Sequence, residues 1–298
     1  MSFKLKGWDV ELNVNDYVIE NMEAIILCVH GMCEHSKRYE DLALFLNKKG
    51  YSVFTYDQRG HGESLLENKN LGYLGNDGFN KMVYDLNIVI NYLKDKYYGY
   101  KIYLLGHSMG SFVVQRYIQI FDTVDGVILS GSNYGTKLIR LGTFLSKLAC
   151  IFKGEEAKGK LIEKLSFGSY NKLFKPNRTN FDWLSRNEVE VDKYINDECC
   201  GFTCTNRFYY DFFKGLLELS KEHNFKKINP SCPILIISGE KDPVGYQGKG
   251  VKVLYNILKK YVNDVEMKLY KEARHEILNE LNRNEVYNDI VNWLINMK

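Results

Sequence analysis

A stretch of five residues, Gly-His-Ser-Met-Gly at positions 106–110, constrains the fold of this chain more than any other feature. It follows the apolar run Ile-Tyr-Leu-Leu, which predicts a buried strand, and it precedes a mixed stretch that predicts a core-packed helix. A serine between such a strand and helix sits on a tight turn with its hydroxyl exposed. Gly106 and Gly110 lack the β-carbons that would crowd that turn. We therefore predict an elbow of Gly106, His107 and Gly110 around Ser108, a candidate nucleophile; the alternative is an ordinary turn with a surface serine.

A carboxylate is the next group that such a nucleophile requires, because it orients the base that activates the hydroxyl. The run Pro-Ile-Leu-Ile-Ile-Ser-Gly at residues 233–239 predicts a second buried strand that ends in a turn. Glu240 and Asp242 follow it. Pro243 disfavours helical backbone at Asp242 and favours an open loop. We predict Asp242 as the acid, with Glu240 as the alternative; both could instead be solvated loop acids.

The base is predicted from the order of the histidines along the chain. Of six histidines, His223 and His275 follow Ser108, and His275 alone also follows Asp242. Residues 265–270 alternate apolar and polar side chains, which predicts a half-buried strand just before His275. The order serine, acid, histidine fits a nucleophile on a strand-to-helix turn. We therefore predict His275 as the general base.

Two backbone N–H groups are required to stabilise the oxyanion that forms when such a serine attacks a carbonyl. One donor is expected from the residue after the nucleophile, Met109. The other is expected from the loop after an earlier strand, here residues 24–29, where Gly31 permits a turn and Met32 supplies the N–H group. The two methionine side chains either line the acyl end of a pocket or fill the core.

Four segments together resemble one known family. They are residues 30–39, 57–64, 106–110 and 273–280. In this order they are similar to the monoacylglycerol lipase and lysophospholipase branch of the α/β-hydrolases, also labelled serine aminopeptidase S33-type. The resemblance extends over roughly residues 20–295.

The resemblance implies both a fold and a set of site residues. It implies the α/β-hydrolase fold, a mainly parallel, doubly wound sheet with an inserted helical cap. It implies Ser108, Asp242 and His275 as the catalytic residues, with Met32 and Met109 as oxyanion donors. The chain departs from the family at Cys33, where the pattern usually has glycine. A β-carbon there restricts the oxyanion loop, and the thiol is either modifiable or simply packed.

The order of predicted elements supports this architecture, because strands alternating with helices indicate a mainly parallel sheet. Predicted strands lie near residues 3–7, 10–13, 24–29, 51–56, 101–105, 126–130, 233–238 and 265–270, and predicted core helices at 37–49, 77–96, 109–120, 247–262 and 281–297. The alternation stops between residues 134 and 228. We predict a catalytic core of residues 1–133 and 229–298 and a helical cap of residues 134–228.

The predicted cap has two notable segments. Its first helix carries the apolar residues Leu138, Leu141, Leu145, Leu148 and Phe152 and the basic residues Lys137, Arg140, Lys147 and Lys153. Such a helix either packs on the catalytic core or acts as a lid that makes transient contact with an anionic membrane surface. The second segment, residues 202–217, is dense in aromatic side chains, some of which are expected to line an acyl-binding cavity.

Composition excludes several other classes of protein. The net charge of +3 on 298 residues gives no case for nucleic acid as a partner. No apolar run is long enough for a membrane span, and the first residues lack a signal-peptide core. A cytoplasmic location is therefore expected, with the seven cysteines reduced. Cys199, Cys200 and Cys204 lack a second pair of ligands, so we predict no metal and no cofactor.

The sequence thus predicts a serine carboxylic-ester hydrolase that acts on monoacylglycerols or lysophospholipids through an acyl-enzyme on Ser108. One alternative is an aminopeptidase of the same fold, which would need cap carboxylates to bind an α-amine. Candidate carboxylates are Glu188, Glu190, Asp192, Asp197 and Glu198. The other alternative is a non-catalytic binding protein on a hydrolase fold.

Overall fold

The computed structural model describes residues 1–134 and 138–297, and the eight strands found there form one sheet. The strands are β1 (Ser2–Lys6), β2 (Glu11–Tyr17), β3 (Ala24–Val29), β4 (Tyr51–Tyr56), β5 (Ile102–His107), β6 (Gly126–Ser130), β7 (Ile234–Gly239) and β8 (Val265–Tyr270). Their order across the sheet is β1-β2-β4-β3-β5-β6-β7-β8. The pairs β1–β2 and β2–β4 are antiparallel, and all other neighbours are parallel. The predicted α/β-hydrolase architecture is confirmed.

Helices cover both faces of the sheet because the central strands are buried on both sides. In β3, Ile25 and Leu27 pack into one layer of the core, and Ile26 and Cys28 into the other. The first layer receives α2 (Gly78–Lys96), α3 (Met109–Ile118) and α9 (Lys249–Leu258), and the second receives α1 (Glu40–Asn47) and α10 (Arg283–Asn296). An unbroken apolar strand therefore corresponds to burial between two helical layers.

Several predicted elements differ in extent from the observed ones, such as the helix expected at residues 247–262, which covers Lys249–Leu258, and two of the differences have a visible cause. The helix expected at residues 37–49 starts with a 3₁₀ turn, Ser36–Tyr39, before α1 begins. The Ser36 N–H and hydroxyl both donate to Asp57, at 2.9 and 2.5 Å, which fixes the chain at this turn. The strand expected at residues 10–13 continues to Tyr17, because the polar Asn15 is buried and donates to the Ser36 hydroxyl at 2.7 Å.

The segment between β6 and β7 is helical in the part that the structure describes. It contains α4 (Leu138–Lys153), α5 (Lys160–Phe167), α6 (Glu188–Asn196), α7 (Asn206–Leu219) and α8 (Glu222–Phe225). Helix α4 packs chiefly against α7, and α7 packs on α2 and α3 of the core. The Thr205 hydroxyl caps α7 by accepting from the Phe208 N–H at 3.2 Å. Lys137, expected on the polar face of the first cap helix, lies outside the described residues.

Candidate active site

Ser108 occupies the strained turn between β5 and α3, with φ of 50° and ψ of −118°. A β-carbon at Gly106 would lie 2.7 Å from the carbonyl oxygen of Gly110, and one at Gly110 would lie 2.1 Å from that of Val29. Both distances are far below van der Waals contact, so the two glycines allow the turn to lie against β3. The Ser108 N–H donates to the Ser130 carbonyl at 2.9 Å, which ties the turn to β6.

The imidazole of His275 and the carboxylate of Asp242 form a buried hydrogen-bonded pair. His275 Nδ1 lies 3.0 Å from Asp242 Oδ1, and both side chains are almost fully excluded from solvent. Asp242 Oδ1 also accepts from the Val244 N–H at 2.8 Å, and Oδ2 accepts from the Ser238 hydroxyl at 3.2 Å. Because these donors hold the carboxylate, it can orient the imidazole with Nδ1 as the donor.

Each residue of this pair favours the charged form of the other. Burial opposes ionisation of Asp242, but the adjacent His275 and the Val244 N–H hold the pKa of the carboxyl below its ordinary value. Burial likewise disfavours the imidazolium of His275, but the Asp242 carboxylate raises the pKa of the imidazole above its ordinary value. The arrangement therefore favours an ionised acid beside a histidine that can accept a proton.

Two aromatic rings flank the imidazole of His275. The Trp183 ring stacks on it with centroids 5.2 Å apart, and the His107 ring lies 4.8 Å away. Burial, together with the charge of His275, lowers the pKa of His107 to about 4. His107 is therefore neutral near pH 7 and adds no competing positive charge.

Ser108 and His275 line the same cavity. Among the residues that the structure describes, none forms a hydrogen bond with the Ser108 hydroxyl. The catalytic hydrogen bond of a serine hydrolase is commonly loose without substrate and tightens on binding. Ser108 and His275 thus share one cavity wall, and Asp242 is hydrogen-bonded to His275; that the three act as a catalytic triad stays a prediction.

The predicted oxyanion donors, Met32 and Met109, also line this cavity. Neither backbone N–H donates a hydrogen bond to any residue in the described ranges. Nearby, His30 shapes the loop, since its Nδ1 lies 2.7 Å from the Gly31 carbonyl and its Nε2 accepts from the Gln58 N–H at 2.9 Å. Those partners fix a neutral imidazole, in agreement with a pKa that burial lowers.

A buried ionic network that the sequence did not predict joins the loop after β3, which carries Met32, to the loop after β8, which carries His275. Arg38 donates to Glu34 at 2.6 Å and to both carboxylate oxygens of Glu276 at 2.7 Å. Glu34 in turn accepts from the Gly31 N–H at 2.5 Å, next to Met32. Burial opposes its ionisation, but Arg38 lowers the pKa of Glu34 to about 2. The sequence offered one indication of this network: the three charged residues lie inside the motifs at residues 30–39 and 273–280, which also contain Met32 and His275.

The cavity above the elbow has a volume of about 660 Å³ and a mostly apolar wall. Residues of α3, α4 and α7 supply much of this wall: Phe112, Ile139, Leu145, Tyr209, Phe212, Phe213 and Leu216. The expectation that part of the aromatic segment 202–217 faces a cavity agrees with this position. Cys33 lies on the wall beside Met32.

The cap carboxylates considered for binding an amine lie elsewhere, since none of the five lines the cavity. Arg178 pairs with Asp192 at 2.7 Å and with Glu188 at 3.8 Å. Lys193 pairs with Glu190 at 2.9 Å.

Asp197 takes part in a small cluster of groups that could ligate a metal. Its Oδ2 lies 2.8 Å from His35 Nε2, and the ligand atoms of Asp197, His35 and Cys200 all lie within 4.8 Å of one another. Three such groups fall short of the closed four-ligand set of a structural zinc site. Cys204, from the same cysteine-rich stretch, contacts Cys33 instead.

The chain is similar to a known hydrolase family and to several known lipases and esterases. A family model described as serine aminopeptidase, S33, matches residues 20–282, which include Ser108, Asp242 and His275. Monoglyceride lipase of Homo sapiens is 28% identical over 279 residues, or 91% of this chain and 82% of the lipase. A monoglyceride lipase homolog of Monkeypox virus is 26% identical over 300 residues, 95% of each chain. A thermostable carboxyl esterase from Bacillus coagulans, solved with glycerol, has a TM-score of 0.92 and 27% identity over 100% of this chain and 98% of the esterase.

Proposed function

The chain belongs to the serine aminopeptidase S33 family of hydrolases, and from this premise we propose that it hydrolyses single-chain lipid esters through an acyl-enzyme on Ser108. The substrates would be monoacylglycerols or lysophospholipids. One observation carries the proposal: Met32, Ser108, Met109 and His275 line one apolar cavity, and His275 is hydrogen-bonded to Asp242. This set of groups matches the requirements of acyl transfer to a serine.

The proposed reaction has two steps. His275 takes the proton of Ser108 as the hydroxyl oxygen attacks the ester carbonyl, and Asp242 stabilises the resulting imidazolium. The N–H groups of Met32 and Met109 bind the oxyanion. The alcohol leaves with the proton from His275, and water then attacks the acyl-enzyme by the same route in reverse. No step requires a metal or an organic cofactor.

Two observations support a lipid ester as the substrate. A cavity of about 660 Å³ with an apolar wall suits one acyl chain rather than a polar peptide. The human and viral relatives are named as a monoglyceride lipase and a monoglyceride lipase homolog.

Two lysines lie where the alcohol part of the ester could bind. Lys160 and Lys164 also line the cavity, and neither forms an ion pair with a residue in the described ranges. Two free cations would suit the phosphate of a lysophospholipid.

We also propose that the cap touches the surface of the lipid phase in which such substrates reside. Phe152 of α4 is 80% exposed and Leu165 of α5 is 62% exposed. Exposed basic residues stand beside them: Arg140, Lys147, Lys153, Lys160 and Lys164. An apolar face flanked by cations is the combination that binds anionic membrane surfaces. No helix in the described ranges is both long and apolar enough to span a membrane.

The experiment that tests the catalytic proposal is labelling with a fluorophosphonate, which reacts with an activated serine. We expect the wild type to be labelled and Ser108→Ala to be unlabelled, with hydrolysis lowered by about 10⁴-fold or more. Ser231→Ala is the control, since Ser231 is exposed, lies outside the cavity wall and should leave labelling intact. An unlabelled wild type would favour a binding protein.

A substrate panel separates the remaining alternatives. We expect p-nitrophenyl acyl esters to turn over much faster than aminoacyl anilides, because no cap carboxylate considered for amine binding lines the cavity. Faster anilide turnover would assign the chain as an aminopeptidase. If Lys160 and Lys164 bind phosphate, replacing both with Gln should raise KM for lysophospholipids and leave KM for monoacylglycerols unchanged.

A further inference from the structure

Two free cysteines from distant parts of the chain meet beside the candidate active site. Cys33 Sγ and Cys204 Sγ lie 3.5 Å apart, although 171 positions separate the residues in sequence. Cys33 belongs to the loop that carries Met32, and Cys204 precedes α7 at the base of the helical segment. A disulfide bond measures about 2.05 Å, so a small approach of the two sulfurs would suffice to form one.

The backbone around the two thiols already holds them together. The Cys33 carbonyl accepts from the Gly201 N–H at 3.0 Å and from the Tyr194 hydroxyl at 2.9 Å. The Cys204 carbonyl accepts from the Gly159 N–H at 2.9 Å. A bond between the sulfurs would thus join two segments that are fixed against each other rather than two mobile loops.

The two thiols differ in access, which sets the order of any reaction. Cys33 is partly exposed and lines the cavity, so a small reagent can reach it there. Cys204 is fully buried, and burial raises the pKa of its thiol. Cys33 is therefore the thiol that meets an oxidant first, with Cys204 beside it to resolve the product.

We propose that Cys33 and Cys204 form a reversible disulfide, an oxidative modification site that links the oxyanion loop to the cap. The oxidant is a small organic disulfide. The Cys33 thiolate attacks one of its sulfurs and releases one thiol, which leaves a mixed disulfide on Cys33. The Cys204 thiol then attacks the Cys33 sulfur and passes its proton to the departing sulfur, which leaves as the second thiol. Two protein thiols are oxidised, and one disulfide molecule is reduced to two thiols.

The expected consequence is a loss of turnover, because the modification pulls on the residue next to Met32. Cys33 has a left-handed φ of 56°, a backbone conformation that leaves a side chain little freedom to adjust. Drawing its sulfur toward Cys204 therefore shifts the loop and the Met32 N–H with it. Loss of a complete oxyanion donor costs about 10²- to 10³-fold in kcat, so a displaced donor should cost about tenfold or more.

To test the proposal, the whole protein is treated with bis(2-hydroxyethyl) disulfide and its remaining free thiols are alkylated. Peptides are then mapped without reduction, so that disulfide-linked pairs stay intact. We expect one linked peptide pair that contains Cys33 and Cys204, a melting temperature raised by about 5 °C or more, and kcat lowered by about tenfold. Dithiothreitol should reverse all three changes. The mapping and the melting temperature do not depend on the proposed function, so they test the disulfide even if no ester is hydrolysed.

Variants separate the pair from other thiols. Cys204→Ala should stop at the mixed disulfide on Cys33, with no linked peptide pair and no rise in melting temperature, and Cys150→Ser should respond like the wild type. Cys33→Gly suits the left-handed backbone and should show no change between reduced and oxidised samples. Cys33 and Cys204 both found alkylated after oxidation would overturn the proposal. A wild type that keeps its kcat while the linked Cys33–Cys204 peptide pair is found would overturn the assigned effect.

Discussion

The protonation of His275 depends mainly on one neighbouring carboxylate, that of Asp242. Its ring is buried between Trp183 and His107, an environment that by itself favours the neutral form. The Asp242 carboxylate, 3.0 Å from Nδ1, reverses that preference and raises the pKa of the imidazole. Glu276 and Glu34 raise the pKa further, so buried carboxylates decide the pH range in which this residue could act as a base.

We predict that kcat/KM rises with pH along a limb whose midpoint lies above 6.5, the ordinary pKa of histidine. A general base must be neutral, so activity is lost as the pH falls through the raised pKa of His275. Rates measured between pH 5 and 9 check this. Asp242→Asn removes the main cause of the shift and should move the limb to lower pH while lowering kcat by about 10⁴-fold. A wild-type limb at pH 6 or below would contradict the prediction.

Gly110 gives a second prediction at the residue scale. Its β-carbon position lies 2.1 Å from the Val29 carbonyl oxygen, which belongs to the buried backbone of β3 and cannot yield easily. We expect Gly110→Ala to lower the free energy of unfolding by about 3 kcal/mol, as overpacking does. Urea unfolding measures this. Gly99→Ala is the control, since no atom lies within 4 Å of its β-carbon position and only its φ of 86° opposes alanine. A cost at Gly110 no larger than at Gly99 would count against the steric argument.

At the scale of elements, Arg38 connects three parts of the fold. It lies on the 3₁₀ turn before α1, and it binds Glu34 of the oxyanion loop and Glu276 of the loop after β8. Its guanidinium also lies over the Tyr194 ring of α6, 4.9 Å from the centroid. The position of the oxyanion loop is therefore coupled to that of the loop that carries His275 through one planar cation.

We predict that Arg38→Met lowers the free energy of unfolding by about 3 to 5 kcal/mol, because it leaves Glu34 and Glu276 buried without their partner. Urea unfolding at pH 7 is the measurement. Arg178→Met provides the contrast: its pair with Asp192 is 38% exposed on the arginine side, and we expect a much smaller change than for Arg38→Met. Similar costs for both variants would show that the buried network does not hold the loops.

The molecule as a whole has an uneven surface, with exposed apolar side chains concentrated on the helices between β6 and β7. Phe144, Ile151 and Phe152 of α4 and Leu161 of α5 are each more than half exposed. Helix α4 packs against α7, and these side chains remain open to solvent. An exposed apolar surface of this kind is what the proposed contact with a lipid phase would need.

We predict that replacing Phe144 and Phe152 together with Ser weakens binding to anionic vesicles by about tenfold or more, in proportion to the apolar area removed. Turnover of a water-soluble ester should stay unchanged, since neither side chain lines the cavity. Vesicle sedimentation and a soluble-ester assay check the two parts. Tyr98→Ser is the control, because Tyr98 is 93% exposed but lies outside the cap. Equal vesicle binding by the double variant and the wild type would exclude this face as the contact.

The fold was predictable from the sequence because its signals are local. The unbroken apolar runs that became β3, β5 and β7 reflect burial on both faces of a sheet. The elbow glycines and the order Ser108, Asp242, His275 fit one turn geometry. Strand β2 was too short in the prediction, since the burial of Asn15 depends on Ser36, a partner that no local pattern indicates.

The contacts between distant segments were decided by the tertiary structure alone. Periodicity reports which face of an element is buried but not which residue of another element meets it. Hence the bridge from Glu34 through Arg38 to Glu276, and the contact of Cys33 with Cys204, became visible only once the loops were placed in space. The sequence determined the kind of chemistry that this chain can support, whereas the packing of its loops determined which side chains hold that chemistry in place.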